Sequence, residues 1–402
     1  MRRLPLVLLL GLAACRQDAP APSVQPHVVR GATPVPYVSE KGAYTVTELV
    51  TGLEHPWALA FLPDGGILIT ERPGRLRRIA ADGEVSAPIG GLPDIFVDGQ
   101  AGLLDVALSP QFAREPWVYL AFAEPTFRGN KAGTAVARGR LEGDQLKDVE
   151  VVYRQEPKLS HGTHVGARLV FDDAGHLFVT QGDNRVAAAA AQELDKLQGK
   201  VVRIWPDGRI PDDNPFVGKA GARTEIWSYG HRNMQGAALH PVTRALWTSE
   251  HGPQGGDEIN LPRPGANYGW PLATHGIDYS GKPVEGARGR SVPGMEDPHY
   301  VWEKSPAVSG MAFYTGGLFP QWRGNLFLGA LAAKELIRLE LDGDKVVHEE
   351  RLLGERGQRI RDVRQGPDGA LYVLVDAPAA RSSRPAHPRR PPAPPPWRAC
   401  AR

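Results

Sequence analysis

Cysteine is nearly absent: Cys15 and Cys400 are the only two in 402 residues. They lie at opposite ends of the chain, so no internal disulfide framework is available. An excess of charge is missing as well, with 47 basic residues against 45 acidic ones. That balance excludes the basic footprint of a nucleic-acid-binding protein. No apolar run is long enough to span a bilayer as a helix, and neither an H-E-x-x-H zinc motif nor an EF-hand loop occurs. Helical periodicity is scarce too. Only AAAAAQELDKLQG, residues 187–199, predicts a helix, ended by glycine.

What is abundant is glycine (46) and proline (37), spread along a chain that is 42% hydrophobic. This composition predicts a sizeable core built from short strands and tight turns. The two ends read differently. Residues 1–15 carry a basic start, an apolar run over 4–12 and the ending Leu12-Ala13-Ala14-Cys15. They have the form of a secretory signal whose ending resembles a lipobox, which makes Cys15 the lipidated first residue of an exported protein. Arg16 is not the aspartate associated with inner-membrane retention, so the expected location is the periplasmic face of the outer membrane, with Cys15 as the sole attachment. Residues 16–41 read as a flexible tether. Residues 377–402 form a low-complexity Arg/Pro tail that cannot bury a core.

Between these ends one pattern returns six times: an alternating apolar strand, a Pro/Asp/Gly turn and a second apolar strand. WALAFLPDGGILITE at Trp57 shows it most clearly, and the last copy is IRDVRQGPDGALYVLVDA at Ile360. Radial repetition of hairpin units predicts an all-β fold, a six-bladed β-propeller with four-stranded antiparallel blades over 42–376. In such a ring, loops distant in sequence converge at the central channel.

Several polar constellations fall at the strand entrances. VDGQAGLLD carries Gln100 in a glycine-flanked loop. SHGTHVGARLVF carries His161 and His164, each of which could be a base or an ordinary hydrogen-bonded residue. SYGHRNMQG sets Arg232 beside Asn233, a cation and an amide suited to a carboxylate or a developing oxyanion. TSEHGPQGGDEINL, followed by ANYGWPLATHGIDYSG, offers Asp257, Glu258, Asp278 and many loop carbonyls; hard oxygen donors of this kind suit calcium. In GQRIRDVRQ, Arg359 and Arg361 alternate along a strand and call for an anion opposite, either a polyanionic ligand or an acidic patch of protein.

These motifs, with HPWALAFLPDG, GQAGLLDVALSPQF and NYGWP, stand in one order over roughly 47–376. Together they resemble the soluble aldose sugar dehydrogenases of the glucose/sorbosone dehydrogenase family, which depend on pyrroloquinoline quinone (PQQ). The resemblance implies PQQ on a calcium ion at the mouth of the channel. His164 would be the general base and Arg232 would stabilise the reduced quinone. Arg232, Asn233, Arg359 and Arg361 would hold the cofactor, and Gln100 and Asp257 would line the pocket. The carbonyls of Gly252 and Pro253 would bind the calcium; a second, structural calcium would use Glu258, Tyr268 and Asp278. An aldose is the implied substrate and an external electron acceptor the implied partner, for a monomer or homodimer. Two positions depart from the family pattern: Thr163 replaces an aspartate before the histidine, and Ala332 stands where some members carry a lysine, with Lys334 displaced by two. Both favour a broad aldose range. His161 has no implied role.

Two other classes compete. A calcium-dependent propeller hydrolase of the sugar-lactonase kind has no need of paired arginines facing a dianion. A non-catalytic sugar- or protein-binding propeller has no need of a general base.

Overall fold

The computed structural model describes residues 25–160 and 162–379. The signal segment with Cys15, His161 and all but the first residues of the Arg/Pro tail lie outside the described residues.

Four short strands come first: β1 (His27–Val28), β2 (Val35–Ser39), β3 (Gly42–Val46) and β4 (Val50–Thr51). β1 pairs with β4 and β2 with β3. Part of the stretch read as a tether is therefore ordered. Tyr37 stacks on Tyr44 across the β2–β3 hairpin, with ring centroids 5.6 Å apart, and Tyr44 packs edge-on against Trp322. Aromatic pairs of this kind anchor an otherwise marginal two-stranded ribbon.

The first blade is β5 (Pro56–Phe61), β6 (Ile67–Glu71) and β7 (Arg75–Ile79), and it has three strands. The second is β8 (Leu103–Leu108), β9 (Trp117–Pro125), β10 (Ala132–Glu142) and β11 (Gln145–Arg154). β12 (Leu169–Phe171), β13 (Leu177–Thr180), β14 (Lys200–Ile204) and β15 (Ile226–Tyr229) form the third. β16 (Met234–Leu239), β17 (Leu246–Glu250), β18 (Asp257–Asn260) and β19 (Tyr300–Trp302) form the fourth. The fifth is β20 (Val308–Phe313), β21 (Leu326–Ala330), β22 (Glu335–Asp342) and β23 (Lys345–Leu352). β24 (Ile360–Gln365) and β25 (Leu371–Val375) make only a two-stranded ribbon.

The expected six blades of four strands are thus corrected: among the described residues there are five blades, one with three strands and four with four. The ring closes where β24 packs against β20 on one side and β5 on the other. The miscount has a plain origin. The repeat legible in the sequence is the inner hairpin, and six hairpins do form. After β25 the chain turns into Ala377-Pro378-Ala379, with no further alternating apolar run among the described residues to add a third strand.

The predicted helix over 187–199 is also corrected. Only Ala188–Gln192 is helical, and it is a 3-10 turn. The buried ammonium of Lys200 donates to the carbonyls of Ala190, Ala191 and Gln198 at 2.8, 3.1 and 2.8 Å. Carbonyls turned toward one cation do not line up for the next turn of an α-helix.

The inner ends of the blades meet around buried charge. Arg168, 1% exposed, donates to the Gln235 carbonyl at 2.7 Å and pairs with Asp105 and Asp362 at 3.2 and 3.1 Å. Its guanidinium lies 4.2 Å from the centre of the Trp57 ring. Arg364 bridges the same two aspartates. These contacts tie β8, β12, β16 and β24 together across the axis. A buried network of this sort specifies an arrangement more than it stabilises one, yet removing a single member is costly.

Candidate active site

His164 lies in the loop between β11 and β12, and its backbone is left-handed, with φ of 50°. A non-glycine residue holds that conformation only where its surroundings impose it. Here its N–H donates to Gln100 Oε1 at 2.9 Å, and its carbonyl accepts from Asn184 N at 3.2 Å. Gly182 lies against that carbonyl so closely that a Cβ there would sit 1.8 Å from the oxygen. Gln100, expected to line the pocket, therefore also fixes the backbone of the histidine.

The imidazole is buried, and Nδ1 lies 2.7 Å from Asp183 Oδ1. Asp183 is fully buried and accepts two further hydrogen bonds, from Trp270 Nε1 at 2.8 Å and from Arg185 N at 2.7 Å. A carboxylate that only accepts places the proton on Nδ1, so the Nε2 lone pair of the neutral ring is available as a base. Burial holds the pKa of His164 below the usual histidine value. Arg232 and Arg185 act in the same direction, and Asp183 opposes them.

Arg232 and Asn233 leave the loop before β16. The Arg232 backbone is fastened to Glu250 Oε2 at 2.6 Å, and Nη1 donates to the His251 carbonyl at 3.0 Å. Its guanidinium lies 5.2 Å from the centre of the Trp270 ring. Asn233 Oδ1 accepts from Gly166 N and from Gln235 Nε2, while Gln235 Oε1 accepts from Arg361 Nη1 at 2.8 Å. One chain of hydrogen bonds thus runs from Arg361 through Gln235 and Asn233 to the loop that carries His164.

The two strand arginines divide. Arg359 pairs with Asp376 at 3.0 Å, the acidic patch of protein that was one of the two expected answers. Arg361 has no carboxylate partner among the described residues. Burial, with Arg168, Arg359 and Arg72 nearby, pulls its pKa down to about 10 against the pull of Asp376. Arg232 also has no carboxylate partner among the described residues, and its Nε and the Nδ2 of Asn233 are buried without acceptors. A buried donor left unpaired is costly. This donor set therefore fits an anionic ligand, and PQQ, with its carboxylates, has that chemistry.

The loop after β17 has the carbonyl density expected of it. A Cβ on Gly252 would lie 2.2 and 2.3 Å from the oxygens of Gly255 and Gly256, so only glycine permits this crowding. No hydrogen bond among the described residues occupies the carbonyls of Gly252 or Pro253, which fits an oxygen-seeking cation such as calcium. Asp257 is fully buried, with Oδ1 accepting from Gly252 N at 3.0 Å and Oδ2 from Val308 N at 3.1 Å. It braces the loop.

Glu258 shares a small cavity with Arg232, Glu250, His251, Gly252 and Trp270. Burial, with Glu250 and Asp257 close by, pushes its pKa well above the ordinary value. A cation beside it would favour the charged form. Tyr268 stacks on His231 at 4.7 Å, and its hydroxyl is engaged with the Leu261 carbonyl and Arg263 N. Asp278 lies in an exposed turn, accepting from Ser280 N at 2.8 Å, and does not line the cavity with Glu258. Among the described residues no group of three or more His, Cys, Asp or Glu side chains is placed to hold a metal.

The structure thus brings His164, Arg232, Asn233, Arg361, Gln100 and the Gly252 loop into one neighbourhood, and sets Arg359 and Asp278 aside from it. It adds Asp183, and it gives partners to Trp270 and Gln235, which lie inside NYGWP and SYGHRNMQG but had no role assigned. Asp183 stands in a Gly-Asp-Asn turn after β13, one hairpin further along the chain than His164, and carries no spacing that names it.

A family model described as Glucose / Sorbosone dehydrogenase matches residues 53–384. Aldose sugar dehydrogenase YliI of Escherichia coli is 57% identical over 327 residues, covering 81% of this chain and 88% of that protein. A crystal structure described as glucose dehydrogenase has 59% sequence identity and a TM-score of 0.80, covering 82% of this chain and 95% of its own. The PQQ-bound form of an aldose sugar dehydrogenase from Streptomyces coelicolor has 28% identity and a TM-score of 0.67, covering 89% and 93%.

Proposed function

The chain belongs to the glucose/sorbosone dehydrogenase family, and on that premise we propose that it oxidises aldose sugars at the anomeric carbon to lactones, with PQQ and calcium. The observation that carries the proposal is the His164–Asp183 pair beside Arg232, with Arg361 linked to the same loop through Gln235 and Asn233; neither guanidinium has a carboxylate partner among the described residues.

When bound, PQQ would supply the hydride acceptor and calcium, held by the Gly252 and Pro253 carbonyls, would supply Lewis acidity. The protein does the rest. His164 Nε2 takes the proton of the anomeric hydroxyl as the C–H bond to that carbon breaks and the lactone C=O forms. Asp183 then faces an imidazolium across the 2.7 Å hydrogen bond and stabilises it. Its three N–H donors keep the carboxylate from rotating away. Arg232 supplies positive charge to the developing anion. Arg361 and Asn233 would hold the cofactor's anionic groups, while Arg359, neutralised by Asp376, would not; Gln100 keeps the base in place. The carbonyls of Gly252 and Pro253 would take the calcium; Glu258 is a candidate ligand of a second one, which Asp278, in its exposed turn away from that cavity, would not share. Electrons leave to an external acceptor. The signal-like segment ending at Cys15 supports export and lipid anchoring in the periplasm.

The test is reconstitution of the purified chain with PQQ and calcium. Reduction of an artificial acceptor by aldoses, with lactone as product, is the expected result. Lactone hydrolysis without PQQ, and no dye reduction with it, would refute the reading in favour of a hydrolase.

A further inference from the structure

We propose that Trp270 is a positioning residue for the proton-accepting histidine: its indole N–H holds the Asp183 carboxylate that in turn holds His164. The inference rests on geometry. Asp183 Oδ1 receives His164 Nδ1 and Arg185 N, whereas Oδ2 receives Trp270 Nε1 alone at 2.8 Å. Asp183 is fully buried, so that donor is not readily replaced by bulk solvent. The indole bond fixes the rotation of the carboxylate and with it the oxygen that faces the imidazole.

Trp270 is itself firmly held. It is 9% exposed, its backbone N–H donates to the Gly230 carbonyl at 2.9 Å, and its carbonyl accepts from Gln192 Nε2 at 2.7 Å. Its ring face carries the Arg232 guanidinium at 5.2 Å. One side chain therefore sets the separation between the acid that pulls a proton onto His164 and the cation that opposes it. Asp183, Arg232 and Arg185 are the charged groups that act on the ring, and Trp270 touches the first two. It also reaches from the long excursion between β18 and β19 to the turn after β13, so the base of one blade is aligned by the neighbouring blade.

Two opposing effects follow from deleting the N–H. Asp183 loses one of three donors, its charge is less compensated, and the imidazolium beside it gains. The carboxylate is also free to turn, so the Nδ1–H tautomer is no longer enforced. The first effect raises the proton affinity of His164; the second lowers the fraction of rings that offer Nε2.

The experiment is Trp270→Phe in the full chain, which keeps an aromatic ring beside Arg232 and removes the indole N–H together with its five-membered ring. With histidine labelled by nitrogen-15 and His164 assigned through His164→Gln, the apo protein is titrated by NMR. The wild type should show one neutral tautomer, with the proton on Nδ1. The variant should show mixed tautomers and a titration at higher pH. In the PQQ- and calcium-loaded enzyme, kcat should fall about ten-fold or more, with KM for the sugar little changed. The acid limb of its pH profile should move up with the titration. An unchanged tautomer and titration would overturn the proposal whatever happens to kcat. Should the variant fail to fold, the wild type decides: the Trp270 indole resonance should shift as His164 titrates, and a resonance blind to that titration overturns the link. The catalytic meaning rests on the function proposed above, but the apo titration does not. A chain that titrates as described yet oxidises no aldose refutes the reaction and still supports the His164–Asp183–Trp270 connection.

Discussion

Replacing Asp183 by asparagine is the sharpest perturbation the site allows, because the three bonds to that residue leave an amide no good orientation. Its carboxylate accepts from His164 Nδ1 at 2.7 Å, Arg185 N at 2.7 Å and Trp270 Nε1 at 2.8 Å. An asparagine has one oxygen and one NH2 to put in their place. If the oxygen stays toward His164, the NH2 confronts the indole N–H, donor against donor, in a fully buried position. If the amide flips, its NH2 faces His164 Nδ1 and Arg185 N. The histidine then moves its proton to Nε2, and the lone pair needed for the sugar hydroxyl is gone. Either outcome leaves a buried donor unpaired, at a cost of about 1–3 kcal/mol in stability. The rate should suffer more. Loss of the carboxylate that sets the tautomer and stabilises the imidazolium is worth roughly 10³–10⁴ in kcat, by comparison with buried aspartates in hydrolytic triads, or about 4–5.5 kcal/mol at 1.4 kcal/mol per factor of ten. The assay is steady-state dye reduction with the PQQ- and calcium-loaded variant, alongside its PQQ affinity. Because Asp183 lies behind the histidine, PQQ binding should be retained. A variant that binds PQQ and keeps kcat within ten-fold of the wild type would refute the assignment of His164 as an oriented base.

Other perturbations probe separate parts of the account. Arg361→Met should weaken PQQ binding by roughly 10- to 100-fold, the loss of a charge-assisted hydrogen bond. Thermal stability should change little, the relief of a buried cation without a carboxylate partner offsetting the loss of its bond to Gln235 Oε1; fluorescence titration and thermal melts check both. Gly252→Ala puts a Cβ 2.2 and 2.3 Å from two carbonyl oxygens, so the loop must open, and calcium affinity measured by calorimetry should fall at least about ten-fold. Arg168→Met strips two buried aspartates of a shared partner and should cost about 3–5 kcal/mol in denaturant unfolding. His164 has its pKa lowered mainly by burial, so kcat/KM should hold steady as pH falls past the ordinary histidine value of about 6.5 and drop only below it. The linked effect on stability has the same sign. Between the unfolded pKa and the lowered folded one the unfolded chain binds the extra proton, so folding weakens as pH falls through that window.

The hairpins were legible in the sequence because alternation and a Pro/Asp/Gly turn are local signals, as at Leu62 to Gly66, where Gly66 N donates to Asp64 Oδ1 at 2.9 Å. The number of blades was not, because a third or fourth strand depends on what the chain does after the hairpin. β25 is followed by Ala377-Pro378-Ala379, and no further strand follows it among the described residues. The run over 187–199 had helical composition, but Lys200 drew its carbonyls away. In the site, His164, Arg232, Arg361 and Gly252 could be named because their motifs resemble a family. Asp183 could not, and Trp270, although inside NYGWP, showed no role, since each matters only through a partner that the fold delivers. Asp257 shows the same limit from the other side: its charge suggested a ligand, and both of its oxygens accept backbone N–H groups.

The central claim is that His164 is the base of a PQQ-dependent aldose oxidation. It is tested most directly by comparing wild type and His164→Gln, both loaded with PQQ and calcium, for dye reduction by an aldose. The account predicts turnover by the wild type, equal PQQ binding by both, and a fall of about 10²–10⁴ in kcat for the variant. Retained turnover in His164→Gln, or none in the fully loaded wild type with any aldose, would contradict it.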